Sequence, residues 1–159
     1  MLLETQRCRL TRFRASDIEN TLPLLTNADV RRYLGGALSE DEARKRLESW
    51  ANGDDIRYTI RLTDGEFLGV VTITPHHDTD NTEVSYMLMP EHWGKGYATE
   101  TVTAIVYYCR DTLGLKQIVS ETQSANERSC RLLERLGFTL CGEAMRFGAK
   151  QCIYKLSLK

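Results

Sequence analysis

Two glycines, Gly94 and Gly96, stand between an apolar run and a helical one, in the stretch Trp93-Gly94-Lys95-Gly96-Tyr97-Ala98-Thr99-Glu100. Glycine lets the backbone come close to a ligand. The first N–H groups of a helix have no partner inside it and carry partial positive charge. The combination favours an anion, most often a phosphate. Two familiar phosphate loops do not fit. A dinucleotide fingerprint needs Gly or Ala three residues after Gly96, where Thr99 stands, and a P-loop needs Ser or Thr after the lysine, where Gly96 follows Lys95.

Other residues could also do chemistry. Glu83 lies in a strand-like run; on alternation it shares a face with Ser85 and Met87, opposite Val84, Tyr86 and Leu88. The pattern alone therefore makes it a solvent-facing carboxylate. Asn126 stands where an N-cap would accept the N–H of Ser129, which by default is an ordinary first-turn residue. His76, His77, Asp78 and Asp80 crowd one loop. Adjacent histidines lack the spacing that turns two rings onto one ion from a regular element, so no metal is expected. His92 reads as a polar loop residue. Cys8, Cys109, Cys130, Cys141 and Cys152 are scattered, odd in number and without a Cys-x-x-Cys pair. They read as reduced thiols of a cytoplasmic protein, not as nucleophiles or a disulfide framework.

The elements that must position these groups emerge from periodicity. Arg7 to Phe13 reads as a first strand. Ser16 with Glu19 has capping-box spacing, and Pro23 limits the next stretch to short helical pieces. A second box, Ser39 with Glu42, opens a helix that buries Ala43, Leu47 and Trp50 and stops before Gly53. The period then falls to two. Arg57 to Leu62, the turn Thr63-Asp64-Gly65-Glu66, and Phe67 to Thr74 form a hairpin, and after a polar connection Glu83 to Met89 forms the next strand. Ala98, Val102, Ile105, Val106, Cys109 and Leu113 give the helix after the glycine turn one apolar face. Gln117 to Thr122 is a short strand and Asn126 to Leu136 the last helix. Gly137 is its left-handed cap, with Phe138 packed back on Leu133. Phe138 to Gly142 and Cys152 to Leu158 complete the sheet. The order β, helices, βββ, α, β, α, ββ makes a mixed α/β sheet.

That order, with two motifs, resembles the GNAT acetyltransferases. Their pyrophosphate loop reads Gln/Arg-x-x-Gly-x-Gly/Ala; Gly96 and Ala98 fill the fourth and sixth places, and Trp93 departs from the first. Trp-Gly-Lys-Gly-Tyr-Ala-Thr-Glu is similar to the variant in the branch that acetylates ribosomal-protein N-termini. Asn126-Glu127-Arg128-Ser129 with Leu136-Gly137-Phe138 resembles a second signature of that branch. The resemblance implies a central, mostly antiparallel twisted sheet whose neighbouring strands splay apart to admit the pantetheine arm. It implies acetyl-CoA as cofactor, with coenzyme A as product and no metal. Gly94, Gly96, Tyr97 and Ala98 would offer N–H groups to the pyrophosphate, with Lys95 beside the phosphates or simply solvated. Leu88 and Met89 would pair their backbone with the pantetheine amides. Asn126 would touch the cofactor as well as cap the helix, Ser129 would donate to the departing thiolate, and Glu83 would be the general base. Many members use a tyrosine on the last helix; Asn126 to Leu136 contains none.

Composition bounds the rest. A chain of 159 residues with 21 Lys+Arg against 22 Asp+Glu reads as one domain, 1–159, with no electrostatic case for nucleic acid or membrane binding. No stretch approaches the roughly 18 apolar residues of a membrane span. Met1 to Arg12 has no long apolar run, so no signal peptide is expected. The expectation is a monomeric or homodimeric N-acetyltransferase whose acceptor is an amine, foremost a protein or peptide N-terminal α-amine. The alternatives are a small-molecule amine acetyltransferase (polyamine, amino sugar or antibiotic) and an acyl-CoA-binding protein that has lost catalysis. The acceptor wall is expected from Val30 to Trp50 and from the last hairpin.

Overall fold

Strands that pair with their sequence neighbours account for most of the sheet. A computed structural model describes residues 2–158. In chain order it runs β1 (Leu2–Glu4), β2 (Cys8–Arg12), α1 (Ile18–Thr26), α2 (Glu40–Asn52), β3 (Ile56–Leu62), β4 (Phe67–Pro75), β5 (Thr82–Leu88), α3 (Tyr97–Asp111), β6 (Gln117–Gln123), α4 (Glu127–Arg135), β7 (Thr139–Arg146) and β8 (Ala149–Ser157). The strands form one sheet in the order β1-β2-β3-β4-β5-β6-β8-β7, antiparallel except between β5 and β6. This is the mixed α/β sheet expected from the sequence. Where β4 and β5 pair over seven residues, the parallel ladder between β5 and β6 is one pair long, Glu83 opposite Val119. Beyond that pair the two strands diverge.

Each face of the sheet has its own core. Val102, Ile105 and Cys109 of α3 and Leu132 and Leu133 of α4 pack with Leu10, Tyr58, Val71, Val84 and Leu88 on one face. Phe13, Leu22, Leu25, Ala43 and Leu47 pack together with Met87 on the other, under α1 and α2. At roughly 25 cal/mol per Å² of apolar surface removed from water, these two cores are the main source of stability.

Local signals account for most element ends. Ser39 Oγ accepts from the Glu42 N–H at 3.2 Å and opens α2, as its capping box requires. At α1 the expected Ser16–Glu19 box is replaced. Asp17 reaches back to accept the Arg14 N–H at 2.9 Å and also pairs with Arg61 at 2.8 Å. That tertiary cation draws Asp17 inward, and a short 3₁₀ turn, Ala15–Asp17, precedes a nine-residue helix that contains Pro23. The amino-terminal β1 and the outer part of the β7–β8 hairpin extend beyond what alternation indicates.

Candidate active site

The divergence of β5 and β6 opens a cleft of about 940 Å³, lined by Ser85 to Leu88, Ser120 to Thr122, the glycine turn, the start of α4 and the loop 29–34. Side chains bridge the fork where it begins. Ser120 Oγ donates to the Val84 carbonyl at 2.9 Å, and Glu83 Oε2 accepts the Glu121 N–H at 3.2 Å.

The glycine turn borders one end. Gly94 and Gly96 have φ of 73° and 83°, the left-handed region that glycine enters without steric cost. The first intrahelical bond runs from the Glu100 N–H to the Gly96 carbonyl at 3.0 Å. The amides of Tyr97, Ala98 and Thr99 therefore have no partner within α3, and all three residues border the cleft. This end suits an anion such as a pyrophosphate: free amides stand at a helix N-terminus, and a Cβ built on Gly94 would meet nothing within 4 Å. Trp93 ties the turn to the strand, its Nε1 donating to the Leu88 carbonyl at 2.8 Å. The Arg128 guanidinium lies 5.6 Å from the Trp93 ring centroid.

Arg7, from the turn after β1, braces the same element from outside. Glu100 accepts from Thr5 Oγ, from the Arg7 N–H at 2.8 Å and from Arg7 Nε at 2.7 Å. Arg7 Nη1 donates to the Lys95 carbonyl at 3.1 Å, and the guanidinium sits 4.3 Å over the Tyr97 ring. Burial works against the Glu100 carboxylate, yet these donors hold its pKa below the ordinary value.

The start of α4 forms the opposite wall. Asn126 Oδ1 accepts the Ser129 N–H at 3.3 Å, so the N-cap forms as expected. Ser129 Oγ and the Tyr86 hydroxyl are 2.7 Å apart in a hydrogen bond. Burial raises the Tyr86 pKa, with the Ser129 hydrogen bond opposing, so the phenol keeps its proton near neutrality. Sequence reasoning misses Tyr86, because alternation marks it only as a core residue. A phenol from β5 thus meets the hydroxyl in the first turn of α4.

Of the residues expected to bind cofactor, Leu88, Gly94, Gly96, Tyr97, Ala98, Asn126 and Ser129 line the cleft; Met89 and Lys95 do not. The Met89 N–H is already given to the Leu68 carbonyl at 2.8 Å, and its carbonyl accepts from the His92 N–H at 2.9 Å. Glu83 does not line the cleft either. Nor does it face solvent: it is 8% exposed. Alternation assigns its face correctly, but at this end of β5 His76 and Glu121 stand against it. Burial raises its pKa; the Glu121 amide and His76 oppose the shift, and the Glu121 charge adds to it. Glu121 itself reaches the cleft. It accepts from His76 Nε2 at 2.9 Å and pairs with Arg146, which also pairs with Asp78. Burial pushes the Glu121 carboxyl up, and Arg146 and His76 more than offset it, leaving its pKa below normal. His76 and Asp78 thus belong to an ion-pair network. Neighbouring carboxylates shifted in opposite directions are an arrangement that separates a proton acceptor from a fixed charge. A buried carboxyl with raised pKa and a pair of hydrogen-bonded hydroxyls are groups that can exchange protons near neutral pH.

A family model described as "Acetyltransferase (GNAT) domain" matches residues 7–139. An uncharacterized N-acetyltransferase of Bacillus subtilis (strain 168), YoaA, is 31% identical over 147 residues, covering 86% of this chain and 82% of its own. The crystal structure of a GNAT-family acetyltransferase from Bacillus anthracis superposes with a TM-score of 0.87 at 20% identity, over 99% of this chain and 98% of its own. Spermidine N-acetyltransferase from Vibrio cholerae, in complex with CoA and spermine, gives 0.80 at 18% identity and 95% of both chains. An acetyl transferase from Salmonella typhimurium that modifies the N-terminal serine of ribosomal protein L7/L12 gives 0.79 at 20% identity and 100% of both chains.

Proposed function

Because the chain belongs to the GNAT family of acetyl-CoA-dependent N-acetyltransferases, we propose that it acetylates the α-amine of a protein or peptide N-terminus. The observation that carries this choice is the charge lining the cleft. Three carboxylates, Asp29, Glu121 and Glu127, stand against three guanidiniums, Arg32, Arg128 and Arg135. Each carboxylate already has a cationic partner: Asp29 has Arg32 at 3.4 Å, Glu121 has Arg146, and Glu127 has Arg131 at 3.8 Å. A polyamine needs unpaired carboxylates to replace the water around its several charges. A lone α-amine does not. Its reference pKa of about 7.7–8.0, against about 10.4 for lysine, also leaves much more of it uncharged near neutral pH.

The bound thioester supplies an activated acetyl carbonyl. Direct transfer from the uncharged amine forms a C–N bond and breaks the C–S bond. The nitrogen gives up one proton, and coenzyme A leaves as the thiolate, which takes a proton back from solvent to become the thiol. Glu83 takes the amine proton, through water since it lies outside the cleft lining. Ser129, backed by Tyr86, donates to the sulfur as it leaves. A thiol of ordinary pKa near 8.5 leaves readily enough that a hydrogen bond suffices. The Tyr97, Ala98 and Thr99 amides hold the pyrophosphate, with Asn126 and the Leu88 backbone along the arm. The cytoplasm, where thiols stay reduced, suits the five free cysteines.

Competition in one reaction among an N-terminal peptide, a lysine peptide with a blocked amino end, and spermidine tests the acceptor. The N-terminal peptide should dominate. Preference for spermidine would move the assignment to a small-molecule acetyltransferase, and preference for the lysine side chain would reject it outright. Consumption of acetyl-CoA by none of them, despite tight binding, would favour a protein that has lost catalysis.

A further inference from the structure

We infer that the acceptor carries an apolar group a few bonds from its amine, held at the rim of the cleft where Leu34 borders it and Phe147 covers the adjacent Gly35. This rests on the N-terminal reading for where the amine sits; in that reading the group is the side chain of the acceptor's second residue.

Leu34 belongs to the loop that walls the cleft, and it stays 37% exposed. The loop is held by the buried Arg31. Its Nε donates to the Gly36 carbonyl at 2.9 Å, and its own carbonyl accepts from the Leu34 N–H at 2.9 Å and the Gly36 N–H at 3.0 Å. Leu34 is therefore presented by a fixed backbone.

Phe147 reaches Gly35, the next residue after Leu34, from the other wall. Arg146, its neighbour at the end of β7, grips Glu121 in the cleft. Phe147 and Gly148 then make a two-residue turn, with φ of 53° and 70°, before Ala149. Such turns favour Asn-Gly, because a bulky residue in the left-handed region is strained. Phe147 adopts it nonetheless, and remains 67% exposed. Its ring lies over Gly35, where a Cβ would come within 3.2 Å of the ring carbon Cδ1. A bulky aromatic in a strained turn, mostly in water, contributes little to the fold it costs. Strain of this kind collects at ligand clamps. Here it sets an apolar surface beside the 29–34 loop, continuous with the cleft through Leu34 itself. The rim carboxylate of that loop, Asp29, is paired with Arg32.

Two peptides identical but for Leu or Asp at position two measure the preference directly, alongside 2-phenylethylamine and ethanolamine as small acceptors. The native enzyme should favour the apolar member of each pair by roughly tenfold in kcat/KM, the lower end of what an apolar pocket contact gives. Phe147→Asn suits the turn, so it should not lower Tm. It should bring the ratio close to one through acceptor KM, leaving kcat and the KM for acetyl-CoA unchanged. Leu34→Ser should act the same way. Equal rates for Leu and Asp peptides, or a preference that survives Phe147→Asn, would overturn the inference. If neither peptide reacts but the small amines do, the N-terminal reading fails, and the phenylethylamine to ethanolamine ratio decides the rim by itself.

Discussion

The Glu83 carboxylate accepts the backbone N–H of Glu121 at 3.2 Å, spanning β5 and β6 just where they part. Glu83 is therefore a strut at the fork as well as the proposed base, and the two roles separate by substitution. Glu83→Gln keeps an oxygen for the Glu121 amide but has no basic site. Activity should fall about 10²–10⁴-fold with a near-normal KM for acetyl-CoA and little change in Tm. Because burial raises the Glu83 pKa, the native enzyme should show an acid limb in kcat/KM centred above the ordinary 4.5, and that limb should vanish in the variant. Full activity in Glu83→Gln would leave Glu83 a strut alone.

Tyr86 and Ser129 share one hydrogen bond, so their contributions should not add. Ser129→Ala should lower kcat modestly, about tenfold, as expected for a lost hydrogen bond to the thiolate. If Tyr86 works through Ser129, Tyr86→Phe costs little more once Ser129 is gone. Additive losses in the double variant would show two independent roles. A Ser129→Ala loss larger than that of Glu83→Gln would reverse their ranking.

Arg7 touches both the glycine turn and Glu100 at the start of α3, so its removal should loosen the anion site without touching the chemistry. Arg7→Ala should raise KM for acetyl-CoA roughly tenfold and leave kcat unchanged, about what losing one charge-assisted hydrogen bond does. An unchanged KM would make Arg7 an ordinary surface ion pair.

Glu100 also makes acid stability informative. Its folded pKa lies below the ordinary 4.5, so its stabilisation is complete above that value and is lost as pH falls through the depressed pKa. Arg7→Ala returns Glu100 towards its ordinary pKa and should move acid unfolding to higher pH, measured by circular dichroism. An unmoved midpoint would mean that Thr5 and the backbone amide at position 7 hold Glu100 alone.

What can be read in the sequence is what depends on neighbours in sequence. The glycine turn needs Gly96 at a φ of 83°, the end of α4 needs Gly137 at 95°, and Asn126 caps α4 through the amide of Ser129, close by in the chain. Those residues can be named in advance because local backbone geometry demands them. Tyr86 cannot, since its hydroxyl matters only through Ser129, 43 positions away. Arg7 reads as one more charge in an amino-terminal strand until Glu100 is placed beside it. Alternation gives Glu83 the right face and the wrong environment, because the groups that enclose it, His76 and Glu121, come from other parts of the chain.

The one-pair ladder between β5 and β6 has a bearing on how the chain reaches this structure. Strands β1 to β5 close on one another in order, and β6, β7 and β8 close among themselves, so both sets form from antiparallel pairs alone. The join between them is parallel and must wait for α3 to cross over, the slower kind of closure. The molecule should thus assemble as two cooperative units whose seam sets last and opens first. Native-state hydrogen exchange should find the amides of Val119 to Glu121 exchanging at a lower opening free energy than those of β3 and β4, with acetyl-CoA narrowing the difference. Uniform protection across the seam would mean one unit, closed in a single step.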